Sequence, residues 1–259
     1  MKSWKNGGEI RMPYAEKPVQ KELIQELYKN RMILTWYRDE PEGWELVSGL
    51  WTPFYINLRK LPSYPELFKK SCKELGKFVA SSNVNRIIGI ATAGIPIAAG
   101  IGYEYGIPVG YTRKLEGVRR PEDLERKISE YGAHRLVEGV MEDGDKLGLV
   151  DDLITTAGSK LVARAQVLYE AEKRRVEIEC NKVFVVVDRE QGGREALEEQ
   201  GIELYALIPF KQSLRYLEGY MDEVEFAVIK DYLNNPEKYQ SIEIQEKLKK
   251  MAKKKRKVL

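Results

Sequence analysis

The stretch from Lys146 to Lys160 reads Lys-Leu-Gly-Leu-Val-Asp-Asp-Leu-Ile-Thr-Thr-Ala-Gly-Ser-Lys, and it constrains the fold more than any other part of the chain. Leu147 to Val150 is a short apolar run of the kind found in buried strands, and Asp151 and Asp152 close it. A loop of small and hydroxyl-bearing residues, Thr155 to Ser159, follows at once. Beyond it Leu161, Ala165, Leu168 and Ala171 recur at roughly helical spacing, which predicts a helix from Leu161 to Arg175. A strand, a small-residue loop and a helix start together make an anion cradle, because free backbone N–H groups and the positive end of the helix dipole favour a phosphate. The carboxylates before the cradle can accept hydrogen bonds from sugar hydroxyls. Without a ligand or donors, two adjacent carboxylates at a strand end are costly. The plain alternative is an ordinary strand followed by a capped helix. The Gly-Lys-Ser/Thr ending of a nucleotide triphosphatase loop is missing here, as are the spaced glycines of a dinucleotide fold.

At 259 residues the chain can bury a core domain that carries a smaller appendage. Its 43 Lys and Arg residues stand against 40 Asp and Glu, so the net charge of +3 does not argue for nucleic acid, and the C-terminal tail supplies most of the excess. Cys72 and Cys180 lie far apart with no companion His cluster, which supports neither a disulfide framework nor a zinc site and suits a reducing cytoplasm. Met1 to Arg11 has no apolar core of a signal peptide, and the apolar stretch Ile87 to Tyr103 is broken by glycines and Pro96, so no membrane span is expected.

Apolar spacing predicts a helix over Val19 to Leu34, a hairpin within Trp44 to Arg59 turning near Gly49, and a helix over Pro65 to Ser82. Arg86 to Ala91, Ile95 to Tyr105 and Ile107 to Thr112 read as one β-α-β unit, whose Thr92-Ala93-Gly94 loop falls at the carboxyl end of a strand, where open α/β sheets bind ligands. Arg113 to His134 is long, irregular and highly charged, which marks it as a lid; a solvated charged helix over Pro121 to Glu130 is the alternative. Lys182 to Asp188 is a β-branched run for the sheet interior, followed by a helix from Glu195 to Gln200 and a strand from Ile202 to Ile208. Ser213 to Leu233 is expected to be helical. Beyond Asn234 the chain reads as a linker and then a Lys-rich end, Ala252 to Leu259, taken as a solvated basic terminus, with nucleic acid an unlooked-for partner. The fold class is α/β, with a mostly parallel central sheet flanked by helices.

The Asp-Asp pair, two residues, then Thr-Thr-Ala-Gly-Ser resembles the phosphoribosyl-diphosphate (PRPP) motif of type I phosphoribosyltransferases. Two further segments resemble the orotate phosphoribosyltransferases in particular: Ser48-Gly49 to Arg59, similar to their N-terminal signature, and Val-Asp-Arg-Glu-Gln-Gly-Gly-Arg ending at Arg194. The resemblance implies a type I phosphoribosyltransferase fold with a small N-terminal hood. The division expected is an arm at 1–18, an N-terminal helix and hood region at 19–82, the α/β core at 83–233 with a lid at about 113–135, and a basic tail at 234–259. It implies transfer of a phosphoribosyl group from PRPP to orotate in pyrimidine synthesis, with Mg2+ held through PRPP and water, by a homodimer whose lid reaches the neighbouring site. PRPP would be bound by Asp151, Asp152, Leu153, Ile154, Thr155, Thr156, Ala157, Gly158 and Ser159, with Thr92 and Ala93. Orotate would meet Arg189, Thr155, Tyr55 and Ile56, and catalytic cations would come from Arg113, Lys114 and Lys127, with Arg126-Lys127 an alternative opening pair. Two departures stand out: Val47 occupies a position that is usually Lys, and Ala93 one that is Lys in some members. His134, the only histidine, falls outside the usual His-Gly register. A relative using another base, and a non-catalytic PRPP-binding regulator, are the rival readings.

Overall fold

The structure, a computed structural model, describes residues 4–6, 9–11, 14–46, 49–118, 120–124, 127 and 135–256. Val47, Ser48, Arg126, Tyr131, Gly132 and His134 lie outside the described residues. The chain divides into two units, Met1–Val19 with Leu61–Phe210, and Gln20–Lys60 with Lys211–Leu259.

The larger unit is built on a six-stranded sheet. Its strands are β1 (Arg86–Gly89), β2 (Val109–Thr112), β3 (Val137–Glu138), β4 (Asp145–Ile154), β5 (Ile178–Asp188) and β6 (Glu203–Pro209). They lie in the order β6-β5-β4-β1-β2-β3, and every neighbouring pair is parallel except β2 with β3. Helices α1 (Pro65–Ala80), α2 (Gly94–Tyr105), α3 (Gly158–Arg174) and α4 (Gly193–Glu198) complete the unit. The β-branched run takes the interior place expected of it: Val183 to Val187 are at most 1% exposed, with β4 on one side and β6 on the other. Burial of each such side chain stabilises the fold by roughly 1.5–3 kcal/mol.

β4 extends further than its apolar run. It continues through both carboxylates to Ile154, because β5 offers backbone partners as far as Asp188, opposite Ile154. At the outer edge Tyr14 forms a parallel bridge with Ala206 of β6, and Ala15 N donates to Ala206 O at 3.2 Å. This end of the N-terminal arm therefore covers part of an otherwise open strand edge.

The charged stretch after β2 is not wholly irregular. A helical turn covers Pro121 to Leu124, and Leu115 and Leu124 are buried in the main hydrophobic cluster with Leu136 and Met141.

In the smaller unit, the helix Lys17–Lys29 ends five residues before Leu34, and Ile33–Thr35 instead pairs antiparallel with Phe54–Ile56. Trp44–Glu45 pairs with Trp51–Thr52, the hairpin expected around Gly49. The stretch expected to be a linker and a solvated tail folds as a helix, Ile242–Arg256. Leu248 and Ala252 on it are buried, and Trp36 Nε1 donates to Leu248 O at 3.2 Å. Lys249 and Lys253 meet Glu42, and Lys255 meets Asp222, so part of the basic charge is neutralised locally. No helix among the described residues is long and apolar enough to cross a membrane.

Candidate active site

β1, β4 and β5 lie side by side and parallel, so their carboxyl ends open onto one edge of the sheet. The chain passes from β1 to β2 on one side, whereas β4, β5 and β6 build outward on the other. The reversal falls between β1 and β4, the position at which open α/β sheets form a ligand crevice.

The first loop at this edge carries Thr92, which is exposed, and Ala93, which is half-buried. Ala91 N donates to the buried Thr112 Oγ1 at 3.0 Å and Ile90 N to Val150 O at 2.8 Å, which ties the loop to strands on both sides.

The second loop is the cradle. α3 starts at Gly158, so the turn Thr155 to Ala157 leads straight into the N-terminal N–H groups of a helix that runs to Arg174. Thr156 and Ser159 are exposed, and Thr155, Gly158 and Leu153 half-buried. Ala157 and Ile154 are buried in the core.

The two carboxylates have different surroundings. Asp151 accepts at both oxygens: Lys160 Nζ donates to Oδ2 at 2.8 Å and Asp152 N to Oδ1 at 2.9 Å. Asp152 accepts one backbone hydrogen bond, from Leu153 N at 2.8 Å. Burial, and then the charge of Asp151, raise the Asp152 carboxyl from the usual range to about 7, against the pull of Lys160.

The third loop follows β5. Asp188, 1% exposed, accepts from Tyr14 Oη at 3.0 Å, Glu190 N at 2.9 Å and Arg194 Nε at 3.2 Å. The Arg194 guanidinium also lies over the Tyr14 ring, 4.6 Å from its centroid. Burial, with Asp188 adding to it, holds the Tyr14 phenol protonated well above its ordinary range. Arg189 is 5% exposed, and its N–H donates to Ile154 O at 2.9 Å, so the third loop is pinned to the second. The turn needs its glycines: a Cβ on Gly193 would lie 2.9 Å from Thr155 O. Tyr14→Phe removes the phenol donor to a buried carboxylate and is expected to lower stability by about 1.5–3 kcal/mol, measured by urea unfolding.

Arg113 and Lys114 follow β2 and are exposed; the Arg113 guanidinium lies 3.8 Å from the Glu138 carboxylate. α3 holds both ends of the segment they open. Gln166 Nε2 donates to Arg113 O at 2.9 Å, and Leu136 N donates to Glu170 Oε2 at 2.9 Å. Lys127 is half-buried in a helical part of that segment.

The sheet edge thus gathers Thr92, Ala93, the Asp151–Ser159 loop, Arg189, Arg113 and Lys114. Tyr55 and Ile56 belong to the smaller unit. There Ile56 is 3% exposed, and Tyr55 stacks on Trp44 with ring centroids 6.1 Å apart. Two residues of consequence had escaped the sequence reading. Lys160 closes the motif but draws no attention as one lysine among many; Tyr14 sits in a polar arm with no periodicity to mark it.

The sheet order and its loops define the fold of the type I phosphoribosyltransferases. The orotate phosphoribosyltransferase of Aeropyrum pernix has the same fold, with a TM-score of 0.57 at 24% identity over 76% of this chain and 99% of that one. The chain is 35% identical to the orotate phosphoribosyltransferase of Staphylothermus marinus over 218 residues, 83% of this chain and 95% of that one. Against that of Sulfurisphaera tokodaii it is 31% identical over 214 residues, 82% and 97% of the two. No protein-family model matches it. The chain belongs to the orotate phosphoribosyltransferase family.

Proposed function

We propose that this chain transfers the phosphoribosyl group of PRPP to N1 of orotate, giving orotidine 5′-monophosphate and diphosphate, a step of pyrimidine synthesis. The observation that carries this reading is the placing of a carboxylate pair and a helix-capped cradle at the sheet's switch point, with Asp188 ending the adjoining strand and Arg189 directly after it.

The cradle from Thr155 to Ser159 takes the 5′-phosphate through backbone N–H groups and hydroxyls, and the Asp151-Asp152 pair lies where ribose hydroxyls would be held. Departure of diphosphate leaves an oxocarbenium-like sugar, so the site has to stabilise negative charge on the leaving group while excluding water. Arg113, Lys114 and Lys127 are the cations for that task. Thr92 and Ala93 offer backbone groups to the diphosphate. The Arg189 guanidinium is a planar fork suited to the flat carboxylate of orotate, and Thr155 reaches toward the same ring. The residues present fit a magnesium-bound substrate, since Asp152 has acceptor capacity left and burial, with the charge of Asp151 beside it, raises its carboxyl to about 7. Asp152 would help hold a magnesium ion brought in with PRPP, and such an ion would supply positive charge against the leaving diphosphate. The active assembly is a two-fold dimer with the charged segment reaching the neighbouring site.

The test is the fall in orotate absorbance on mixing protein, magnesium and PRPP, with other pyrimidine and purine bases as competitors. Orotate consumption matched by diphosphate release is the expected result. Binding of PRPP with turnover of another base, or of none, overturns it.

A further inference from the structure

We propose that a cavity at the end of the N-terminal arm is an effector site for an organic ammonium ion, an amine carried on an aromatic body, and that its occupancy tightens orotate binding through Tyr14. The coupling rests on the reading of Arg189 as an orotate-facing residue, whereas the site itself stands apart from that reading.

The cavity has a volume of about 330 Å³, large enough for a small molecule, and lies wholly in the larger unit between the end of the arm, α1 and β6. Its walls are aromatic. Tyr14 comes from the arm, Phe78 from α1 and Tyr205 from β6, and the last two have ring centroids 5.8 Å apart. Three charged residues share the lining: Glu16, Glu74 and Lys77. Lys77 Nζ donates to both oxygens of Glu74 at 2.7 Å, so these two charges offset each other. Glu16, which is exposed, adds a negative charge that this pair does not balance. Ring faces are the negative part of an aromatic quadrupole, so such walls with one surplus carboxylate favour a cation on an apolar body and disfavour an anion. The Tyr14 ring already behaves in this way: the Arg194 guanidinium lies over it, and Asp188 at 3.2 Å matches that charge.

The same tyrosine joins the cavity to the third loop. Its ring lines the cavity, and its Oη donates to Asp188 at 3.0 Å. Asp188 in turn accepts from Glu190 N at 2.9 Å, which closes the turn around Arg189. A ligand packed on the ring holds Tyr14 against β6 and, through Asp188, steadies that turn. Tyr14 is then a positioning residue for orotate.

Tyramine is the probe, with para-ethylphenol and para-hydroxyphenylacetate as its neutral and anionic counterparts, each titrated into the full chain by calorimetry. Tyramine is expected to bind with a Kd on the order of 100 µM, about tenfold tighter than either counterpart. Glu16→Gln weakens it by about fivefold and leaves turnover without the amine unchanged. At saturating tyramine, KM for orotate falls by about fivefold at nearly constant kcat. Tyr14→Phe keeps the ring, so tyramine binds it to within about threefold of the parent, but KM for orotate no longer responds, a result that general loss of stability would not produce. Failure of tyramine to bind at millimolar concentration, equal binding of the three compounds, or binding that Glu16→Gln leaves unchanged overturns the site. Bound tyramine with an unmoved KM for orotate, or a KM that moves equally in Tyr14→Phe, overturns the coupling. A protein that binds tyramine and turns over no orotate overturns the functional reading and the coupling, and leaves the site standing.

Discussion

Asp152→Asn is expected to cut turnover sharply and, above neutral pH, to make the protein more stable. Burial and the adjacent Asp151 raise the folded-state carboxyl to about 7 from its ordinary 3.8. Between those two values the unfolded chain gives up this proton more readily than the folded one, so the unfolded state binds fewer protons and stability falls as pH rises. The contribution of Asp152 is fully present below the unfolded value and lost as pH passes the folded one. Asn carries no charge at any of these pH values. The difference between variant and parent is therefore near zero at about pH 4, grows through pH 5 and 6, and levels off above pH 7 at roughly 2–4 kcal/mol in favour of Asn. Urea unfolding at a series of pH values measures it. A gain that is the same at every pH would mean that Asp152 is not the titrating group. Turnover should fall by about a hundredfold or more, because the hydroxyl acceptor loses its charge where positive charge develops on the sugar. Stability and activity move in opposite directions at one side chain, as expected where a fold keeps an uncompensated charge for its ligand.

The same residue shows how far the sequence could be read. The pairing of Asp151 with Asp152, the small-residue loop and the helix after it were all legible, because each is a local pattern: a buried run, a loop, a helical period. The difference between the two carboxylates was not. It depends on Lys160 turning back across nine positions to Asp151, a contact that exists only once the loop has closed. The β-branched run of β5 announced its burial directly, since an interior parallel strand is apolar on both faces. β4 was harder to bound. Two carboxylates interrupt its apolar run before Leu153 and Ile154, and the length of β5 beside it keeps these last residues in the ladder. In the C-terminal segment the lysines masked a sparse apolar period, Ile244, Leu248 and Ala252 at four-residue spacing; the latter two are buried. Tyr14 could not have been found from its surroundings in sequence, because its partner Asp188 is 174 positions away.

A second large effect belongs to a residue with no side chain. Gly94 opens α2 directly against β4, and a Cβ there would lie 2.1 Å from Val150 O and 3.0 Å from the Asp151 Cα. Gly94→Ala is expected to destabilise the protein by about 3 kcal/mol or more and to lower kcat/KM by at least about tenfold. The clash cannot be relieved by a rotamer change, since both neighbours are backbone. Val150 O is also held in place as the acceptor for Ile90 N at 2.8 Å, so moving it breaks the link between the first loop and β4. Relief has to come from α2 or from β4. In either case the Thr92-Ala93 loop shifts relative to the carboxylates one residue beyond Val150, and a misplacement on the order of 1 Å at a positioning group costs about a hundredfold in rate. Unfolding in urea and steady-state kinetics on the folded variant separate the two losses. Were the variant to unfold at the parent's urea midpoint with unchanged kinetics, α2 and β4 would not meet as closely as this structure has them. A stable but slow variant would place the damage in the geometry of the switch point, where the packing of one glycine sets the distance between the first loop and β4.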